Sequence, residues 1–533
     1  MEWKKGWRDK VWSELDQPWD LLIIGGGITG AGILRQAAHA KLRALLAEAD
    51  DFASGTSSRS SKMVHGGLRY LKNAQFRVTL ESVREREYLL KQGRGLVSRL
   101  GFLYACLDGD AFPGWVFGAG LVVYDIMAKQ WSHRSYDAYD MRGLCPPLTT
   151  THLRGGYRYF DATTDDARLV LRLLRESVMD GASALNYARV DSLLRTRDGQ
   201  VCGAVLRDTS GDSHFQSDCH LVKEVKAKVV INATGSWADE LRGNIEKKPR
   251  LRPLRGSHLV LPFERLPVTR SISFLHPRDG RPVMAVPWEG AVIFGTTDVD
   301  HKSNIQTDPC ISSSEAEYLL EALQSVFPEQ EFSSDDVMAT YSGLRPVVNT
   351  GKADPSKESR EHAIWDENGL LTVSGGKLTT FRIMARDALK AVRKHLGHIP
   401  FDPDTPVLDS FPAEAESQFA ETKLPPAQQL RLLARYGIQS AQTFLADESH
   451  ETIPNTSYLW SELKQAARAE GVVHLRDLLL RRIRLGLLAP NGGTDLLPQI
   501  RALVQPALGW DDARWEKETR EYIELWNASY RLS

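Results

Sequence analysis

The chain has 533 residues, of which 42% are hydrophobic and 25% charged, and its 67 basic and 68 acidic residues give a net charge of −1. This length predicts two or three domains, and the balanced charge gives no overall field that would attract nucleic acid. The five cysteines are scattered without a CxxC pair, so we expect no metal site and a reducing compartment. No apolar run approaches the roughly 20 residues that a membrane-spanning helix needs.

The N-terminal segment has two interpretations. Trp3, Trp7, Val11 and Leu15 recur every four residues, with several lysines and arginines between them. This pattern suits a helix that lies on a membrane surface. It also suits a short helix that packs its tryptophans on its own domain, which is the interpretation we favour.

A dinucleotide-binding motif follows. Residues 19–25 (WDLLIIG) predict a buried strand, a helix is expected through residue 40, and residues 44–47 predict a second strand. Gly25, Gly27 and Gly30 form a GxGxxG turn between the first strand and the helix, and Glu48 ends the second strand. Such glycines allow a tight turn and close approach of a pyrophosphate to the helix N-terminus, and the acid can bind a ribose.

The later elements alternate in type. Helices are predicted at 74–92 and 164–180, and they are separated by the apolar, glycine-punctuated run GWVFGAGLVVYD. Strands and turns are predicted from 183 to 231, and a mostly antiparallel sheet from 251 to 344. A strand at 370–374 precedes a helix from 378 to about 395, and residues 425–533 read as further helices, including HLRDLLLRRIRLGLL.

Three segments favour FAD over NAD as the dinucleotide. No second β-α-β unit follows Glu48; the hydroxyl-rich run SGTSSRSSK comes instead, and MVHGGLRYLKN follows it. Asn232–Gly235 ends a strong strand, and Gly375-Gly376-Lys377 opens a helix whose N-terminus could stabilise a reduced flavin. The order of these segments along the chain predicts FAD.

The motifs together resemble those of a known family. DLLIIGGGITGAGI, TSSRSSKMVHGGLRYL, DATTDDARLVL, NATGSWAD, RGSHLVLP, FGTTDVD, YSGLRPV and SGGKLTTFR occur here in the order found in the FAD-dependent, quinone-linked glycerol-3-phosphate dehydrogenases. The resemblance implies oxidation of sn-glycerol 3-phosphate to dihydroxyacetone phosphate, with hydride transfer to FAD N5 and electrons passed to a membrane quinone.

The resemblance also implies an α/β fold with three parts. A Rossmann-like FAD-binding domain of the amino-acid-oxidase type would comprise 1–72, 150–240 and 345–398. An antiparallel β substrate domain would comprise 73–149 and 241–344, and a C-terminal α-helical domain would comprise 399–533.

Site residues are carried over onto the matching motifs. The expected cofactor-binding residues are Gly25, Gly26, Gly27, Ile28, Thr29, Gly30, Glu48, Ser57, Ser58, Ser61, Lys62, His65, Gly66, Gly67, Gly235, Gly376, Lys377, Leu378 and Thr379. The expected substrate-binding residues are Arg69, Tyr70, Arg345, Arg360 and Lys377, because a buried phosphate needs several cations or donors. His65, His258 and Arg345 are the catalytic candidates; either histidine could be the base, and Arg345 could stabilise an alkoxide.

Some functional alternatives stay open at this point. An oxidase that passes electrons to oxygen and releases hydrogen peroxide is the main alternative, although no obvious long insertion of the kind found in such oxidases is present. A flavoprotein without turnover is a third. A quinone acceptor implies peripheral contact of a cytoplasmic protein with the membrane, through the N-terminus or the basic helices near Arg481 and Arg482. A homodimer is also predicted, although no sequence motif supports it.

Overall fold

The computed structural model describes residues 3–72, 75–110, 113–149, 151–211, 221–243, 245, 248–352, 358, 361–400, 402, 404–447 and 450–532. The strands are β1 Trp19–Ile24, β2 Ala44–Ala47, β3 Met63–Val64, β4 Val97–Leu107, β5 Arg134–Asp137, β6 Leu153–Thr164, β7 Ser183–Leu185, β8 Ala188–Arg195, β9 Val201–Asp208, β10 Val222–Asn232, β11 Leu251–Pro262, β12 Ser271–Leu275, β13 Pro282–Trp288, β14 Ala291–Gly295, β15 Val299–Asp300, β16 Ala339–Val348, β17 His362–Glu367 and β18 Leu370–Gly375. The helices are α1 Trp7–Glu14, α2 Ile28–His39, α3 Arg69–Lys72, α4 Phe76–Gln92, α5 Gly114–Ala128, α6 Ala138–Leu144, α7 Asp166–Met179, α8 Ala238–Arg242, α9 Ser313–Val326, α10 Phe381–Leu396, α11 Ala413–Ala420, α12 Pro426–Tyr436, α13 Ala441–Leu445, α14 Trp460–Ala469, α15 Leu475–Asp477, α16 Leu485–Leu488, α17 Leu497–Leu508 and α18 Asp512–Ser529.

The first sheet gives the α/β character that the sequence predicted. Its order is β17-β18-β10-β1-β2-β7, and all neighbours except β17 and β18 run parallel. Ile24, at the end of β1, lies opposite both Ala47 and Asn232. Because parallel strands end at the same edge of a sheet, the GxGxxG turn, Glu48 and the Asn232–Gly235 segment meet there. Helix α2 packs beside this sheet, in contact with α7 and α10.

The second sheet is mostly antiparallel, as predicted, with the order β15-β11-β14-β13-β12-β4-β6-β3; β16 pairs with β11, and β5 with β6. Only β12 and β4 run parallel among its described pairs. The two-residue strand β3 lies at one edge, where Met63 and Val64 face Thr163 and Ala162. This pairing fixes the segment that carries His65, Gly66 and Gly67 at the edge of the second sheet, next to the 3₁₀ turn Leu378–Thr380. The residue bounds of the three domains stay a prediction.

The C-terminal part is helical as predicted, but HLRDLLLRRIRLGLL is not one continuous helix. α15 passes into a π-helical turn at Leu478–Arg482, Ile483 is extended, and α16 follows. The break lets Arg481 and Arg482 both reach the buried carboxylate of Asp51, just after β2. Arg481 and Arg482 are 3% and 0% exposed. The expectation that they contact a membrane is therefore wrong.

The N-terminal tryptophans pack inside the protein. Trp3, Trp7, Val11 and Leu15 are all buried, and Trp3 stacks on Phe52 with ring centroids 5.1 Å apart. This confirms the packing interpretation, and these apolar side chains are not available for insertion into a membrane surface. Among the described residues, no helix combines the length and apolar character needed to cross a bilayer.

We expect Asp51→Ala to destabilise the protein strongly, because it leaves two buried guanidinium groups without their shared carboxylate. The free energy of unfolding should fall by about 3–5 kcal/mol, measured by denaturant unfolding. Asp512→Ala is the matched control: this carboxylate is exposed and pairs with Arg501 at 2.7 Å, so a loss of under about 1 kcal/mol is expected. Equal losses in both variants would contradict this account.

Candidate active site

The GxGxxG turn has the geometry of a dinucleotide site. Gly25 has a φ of +112°, and a Cβ there would lie 2.6 Å from the carbonyl oxygen of Ala233. A Cβ on Gly30 would lie 1.9 Å from the carbonyl oxygen of Gly25. Both positions therefore require glycine. Gly27 immediately precedes α2, so the helix N-terminus that includes Ile28 and Thr29 faces the turn.

Glu48 lies beside this turn. Its carboxylate accepts hydrogen bonds from the backbone N–H of Gly26 at 2.6 Å and of Asp50 at 2.9 Å. Burial raises the pKa of Glu48 to about 7, against the opposing effect of these two donors. An acid at the end of the second strand, next to a turn without side chains, fits the ribose and pyrophosphate of FAD.

The hydroxyl-rich loop is fixed mainly by contacts with its surroundings. The Ser57 hydroxyl accepts from the backbone N–H of Ile28 at 2.9 Å, which ties the loop to the start of α2. The Lys62 ammonium is fully buried, donates to the Ser58 carbonyl at 2.5 Å and pairs with Asp166 at 2.9 Å. Burial lowers the pKa of Lys62 to about 8, although Asp166 opposes this shift. The side chain of Lys62 thus orders the loop from within the protein.

The glycine pair after β3 has no room for side chains. A Cβ on Gly66 would lie 2.2 Å from the Tyr124 hydroxyl oxygen, and a Cβ on Gly67, which has a φ of +75°, would lie 2.3 Å from the Tyr70 ring. The backbone N–H of Gly66 donates to the Asp161 carboxylate at 3.0 Å. Asp161 Oδ1 also accepts from Arg86 at 2.6 Å and from the Tyr124 hydroxyl at 2.7 Å.

The start of α10 approaches this glycine pair. The backbone N–H of His65 donates to Thr379 Oγ1 at 3.2 Å. Lys377 Nζ lies 4.1 Å from the centroid of the Tyr70 ring and donates to Ser82 Oγ at 2.6 Å. Five of the predicted site residues are therefore brought together: His65, Gly67, Tyr70, Lys377 and Thr379.

Arg345 and His258 form a second group on β16 and β11. The Arg345 guanidinium donates to Asp298 Oδ1 at 2.9 Å and to Thr296 Oγ1 at 3.0 Å. A Cβ on Gly256 would lie 2.3 Å from this guanidinium, so that glycine makes room for it. His258 Nε2 lies 2.8 Å from Ser61 Oγ, and this contact links the second group to the hydroxyl-rich loop.

The His258 ring is held in the neutral form. It is 2% exposed and stacks on Tyr341 with centroids 4.6 Å apart, and its Nδ1 has no hydrogen-bond partner among the described residues. Burial, then the charges of Arg345 and Lys62, lowers the pKa of His258 well below its ordinary value. Near pH 7 this ring is therefore uncharged.

The remaining predicted residues have these positions. Gly235 begins the 3₁₀ turn after β10 with a φ of +61°, and Gly376 has a φ of +68° next to Met384. Leu378 begins the 3₁₀ turn before α10. Arg69 is the first residue of α3, but its side chain lies outside the described part of the structure, as does the whole of Arg360.

Sequence reasoning missed Asp161, Arg86 and Tyr124, which hold the backbone of Gly66. Asp161 is the first acid of the DATTDD run, which was recognised only as part of a motif. The available signal was three acids within six residues, because such carboxylates need donors around them wherever they are buried, and Asp161, Asp165 and Asp166 are all buried.

One group of metal-ligand type is present among the described residues, formed by His474, Glu518 and Glu521. Glu518 already accepts from His474 Nδ1 at 2.8 Å and from the Leu475 backbone N–H at 2.9 Å, and it pairs with Arg514. These contacts satisfy the Glu518 carboxylate without a bound metal ion.

Comparison with known proteins agrees with the geometry. Residues 20–395 match the family described as FAD dependent oxidoreductase, and residues 408–515 match the C-terminal domain of alpha-glycerophosphate oxidase. The chain is 33% identical over 537 residues to glycerol-3-phosphate dehydrogenase 2 of Mycobacterium bovis, covering 97% of this chain and 89% of that protein. It is 35% identical over 384 residues to the aerobic glycerol-3-phosphate dehydrogenase of Staphylococcus aureus, covering 71% and 67%.

Solved structures show the same fold. The glycerol-3-phosphate dehydrogenase of Bacillus halodurans, complexed with FAD, superposes with a TM-score of 0.77 at 27% identity over 98% of both chains. The L-alpha-glycerophosphate oxidase of Mycoplasma pneumoniae, also with FAD bound, has a TM-score of 0.56 at 16% identity over 74% of this chain and 99% of that one, which shows the fold alone. The chain thus belongs to the FAD-dependent glycerol-3-phosphate dehydrogenase family of FAD dependent oxidoreductases, and its cofactor is FAD.

Proposed function

We propose that the protein oxidises sn-glycerol 3-phosphate to dihydroxyacetone phosphate and passes the electrons to a quinone in the membrane. The observation that carries the proposal is the approach of Lys377 to Tyr70 and Gly67, directly after the loop that would hold the flavin. A cation at the start of a helix opposes the helix dipole, so an anionic ligand would stabilise Lys377 there. The names of the relatives from Mycobacterium bovis and Staphylococcus aureus support the same substrate.

Bound FAD supplies an acceptor for the hydride that leaves C2 of the substrate. We propose that Lys377, Arg69, Tyr70 and Arg360 bind the phosphate, whose charge of about −1.5 to −2 near pH 7 needs several donors. The cofactor would contact the GxGxxG turn, Glu48, the Ser57–Lys62 loop, Gly66-Gly67, Gly235 and the Gly376–Thr379 turn. Tyr70 is buried, which would exclude water from one side of the phosphate.

The proton of the C2 hydroxyl needs an acceptor, and we propose His65. This residue is half-buried at the glycine pair, whereas the His258 ring is fully enclosed and its Nε2 already contacts Ser61. Arg345 is 25% exposed at its side chain and has a fixed guanidinium, so it could stabilise negative charge on the oxygen as the proton leaves.

Anaerobic titration of the holoprotein with glycerol 3-phosphate tests the function. We expect the visible absorbance of the oxidised flavin to bleach with one equivalent of substrate. Glycerol and lactate, which lack the phosphate, should bleach it at least about 100-fold more slowly, because they lack the charge-assisted contacts. A yellow protein that glycerol 3-phosphate leaves unbleached would contradict the proposal.

The electron acceptor is tested after the same reduction. A short-chain quinone should reoxidise the flavin much faster than air-saturated buffer. Rapid reoxidation by oxygen, with stoichiometric hydrogen peroxide, would instead assign the protein as a glycerol-3-phosphate oxidase.

We expect His65→Gln to slow flavin reduction by about 100-fold or more, the usual contribution of a positioned base. His258→Gln should slow flavin reduction by less than about tenfold, because this ring is not the proposed base. His258→Gln should also leave the pH dependence of the rate between about pH 6 and 8 unchanged, because the lowered pKa of His258 keeps that ring neutral there. The reverse pattern, measured by stopped-flow absorbance, would make His258 the base.

A further inference from the structure

Helix α5 has an unusual solvent-facing side. Its exposed positions are Trp115, Val116, Ala119, Val123 and Ile126, which recur at helical spacing and are all apolar. The single charged residue of the helix, Asp125, is buried. A surface helix of a globular protein normally presents polar side chains to water, so this arrangement is the reverse of the expected one.

The apolar face continues past the end of the helix. Trp131 is 71% exposed, compared with 70% for Trp115 and 66% for Ile126. The turn that carries Trp131 is ordered by Asp125, whose carboxylate accepts from the backbone N–H of Ser132 at 2.7 Å and of His133 at 3.0 Å. We call Trp115, Val116, Val123, Ile126 and Trp131 the α5 patch.

The opposite side of α5 contacts the candidate active site. Tyr124 lies against Gly66, and its hydroxyl donates to Asp161, the same carboxylate that accepts from the Gly66 backbone N–H. An α-helix with its side chains is about 10–12 Å across. The α5 patch is therefore about one helix diameter from the segment that would contact the flavin.

We infer that the α5 patch is the surface by which the protein docks on a lipid bilayer, with α5 lying in the plane of the interface. This inference rests on the proposed transfer of electrons to a membrane quinone, because docking through α5 would bring that lipid-dissolved acceptor to the helix whose Tyr124 contacts Gly66. At 15 residues, α5 is about 22 Å long, too short to span a bilayer, but it suits shallow burial.

The side chains of the α5 patch fit a lipid surface. Tryptophan is enriched at membrane–water interfaces, where its ring contacts both headgroups and acyl chains. Lys129 and Arg134, both exposed, flank Trp131 and would attract anionic headgroups. Exposed Asp137 and Asp140 follow and oppose this attraction, so we expect apolar insertion to contribute more than charge.

Vesicle co-sedimentation of the full-length holoprotein tests the inference. The vesicles contain phosphatidylcholine and phosphatidylglycerol at a ratio of about 3:1, a composition that supplies anionic headgroups. We expect the wild type to sediment with them, and the double variant Trp115→Gln/Ile126→Gln to lose binding by about tenfold or more, since it removes two large inserted side chains. Met179→Gln is the control, because Met179 is an exposed apolar residue on α7, outside the α5 patch.

Three results would overturn the inference: a wild type that stays in the supernatant, a double variant that sediments like the wild type, or equal loss in Met179→Gln. A fourth contradicting result would come from sedimentation velocity without vesicles. If the wild type dimerises and the double variant does not, the α5 patch is an interface with a second copy of the chain. Anaerobic bleaching of the same samples distinguishes failure of the docking surface from failure of the proposed substrate. Bleaching by glycerol 3-phosphate without vesicle binding would remove only the docking surface, whereas vesicle binding without bleaching would remove only the proposed substrate.

Discussion

The buried carboxylate of Asp161 fixes the most demanding part of the site. One of its oxygens accepts hydrogen bonds from the Gly66 backbone, from Arg86 on α4 and from Tyr124 on α5. A buried charge is tolerated only where donors surround it, so the strand β6, both helices and the glycine pair must keep their relative positions. Gly66 can occupy this position because it has no Cβ to meet Tyr124.

The chain on the two sides of β3 has two proposed roles, contact with the cofactor before the strand and contact with the substrate after it. On its N-terminal side, Ser57 is bonded to the start of α2, next to the turn that would bind the pyrophosphate. On its C-terminal side, Tyr70 faces Lys377, a pair suited to an anionic ligand. His65 lies between them and is bonded through its backbone to Thr379. The short segment from Ser57 to Tyr70 would then contact the cofactor, the reacting carbon and the phosphate in turn.

Much of this could be predicted from the sequence, because local patterns determine it. The β1–α2–β2 unit and Glu48 follow from strand periodicity and glycine spacing, and α4, α7 and β18 from their apolar periods. What sequence could not give was the environment of charged residues. Arg481 and Arg482 look like surface cations until Asp51, more than 400 residues away, is placed beside them. The pairing of the Lys62 ammonium with Asp166, about 100 residues away, is equally invisible in the sequence. The sequence shows α5 only as an apolar run, because which of its side chains are buried depends on which side of the helix faces Asp161.

The central claim is that Asp161 positions the glycine pair for reduction of the flavin by substrate. The most direct measurement is the rate of anaerobic flavin reduction by glycerol 3-phosphate in Asp161→Asn, on protein that retains FAD. Losing the charge-assisted contacts predicts a rate about 10- to 100-fold lower, while Asp125→Asn, also buried but bonded only to the turn after α5 in the described structure, keeps the wild-type rate. An unchanged rate in Asp161→Asn, or an equal loss in both variants, would contradict the claim.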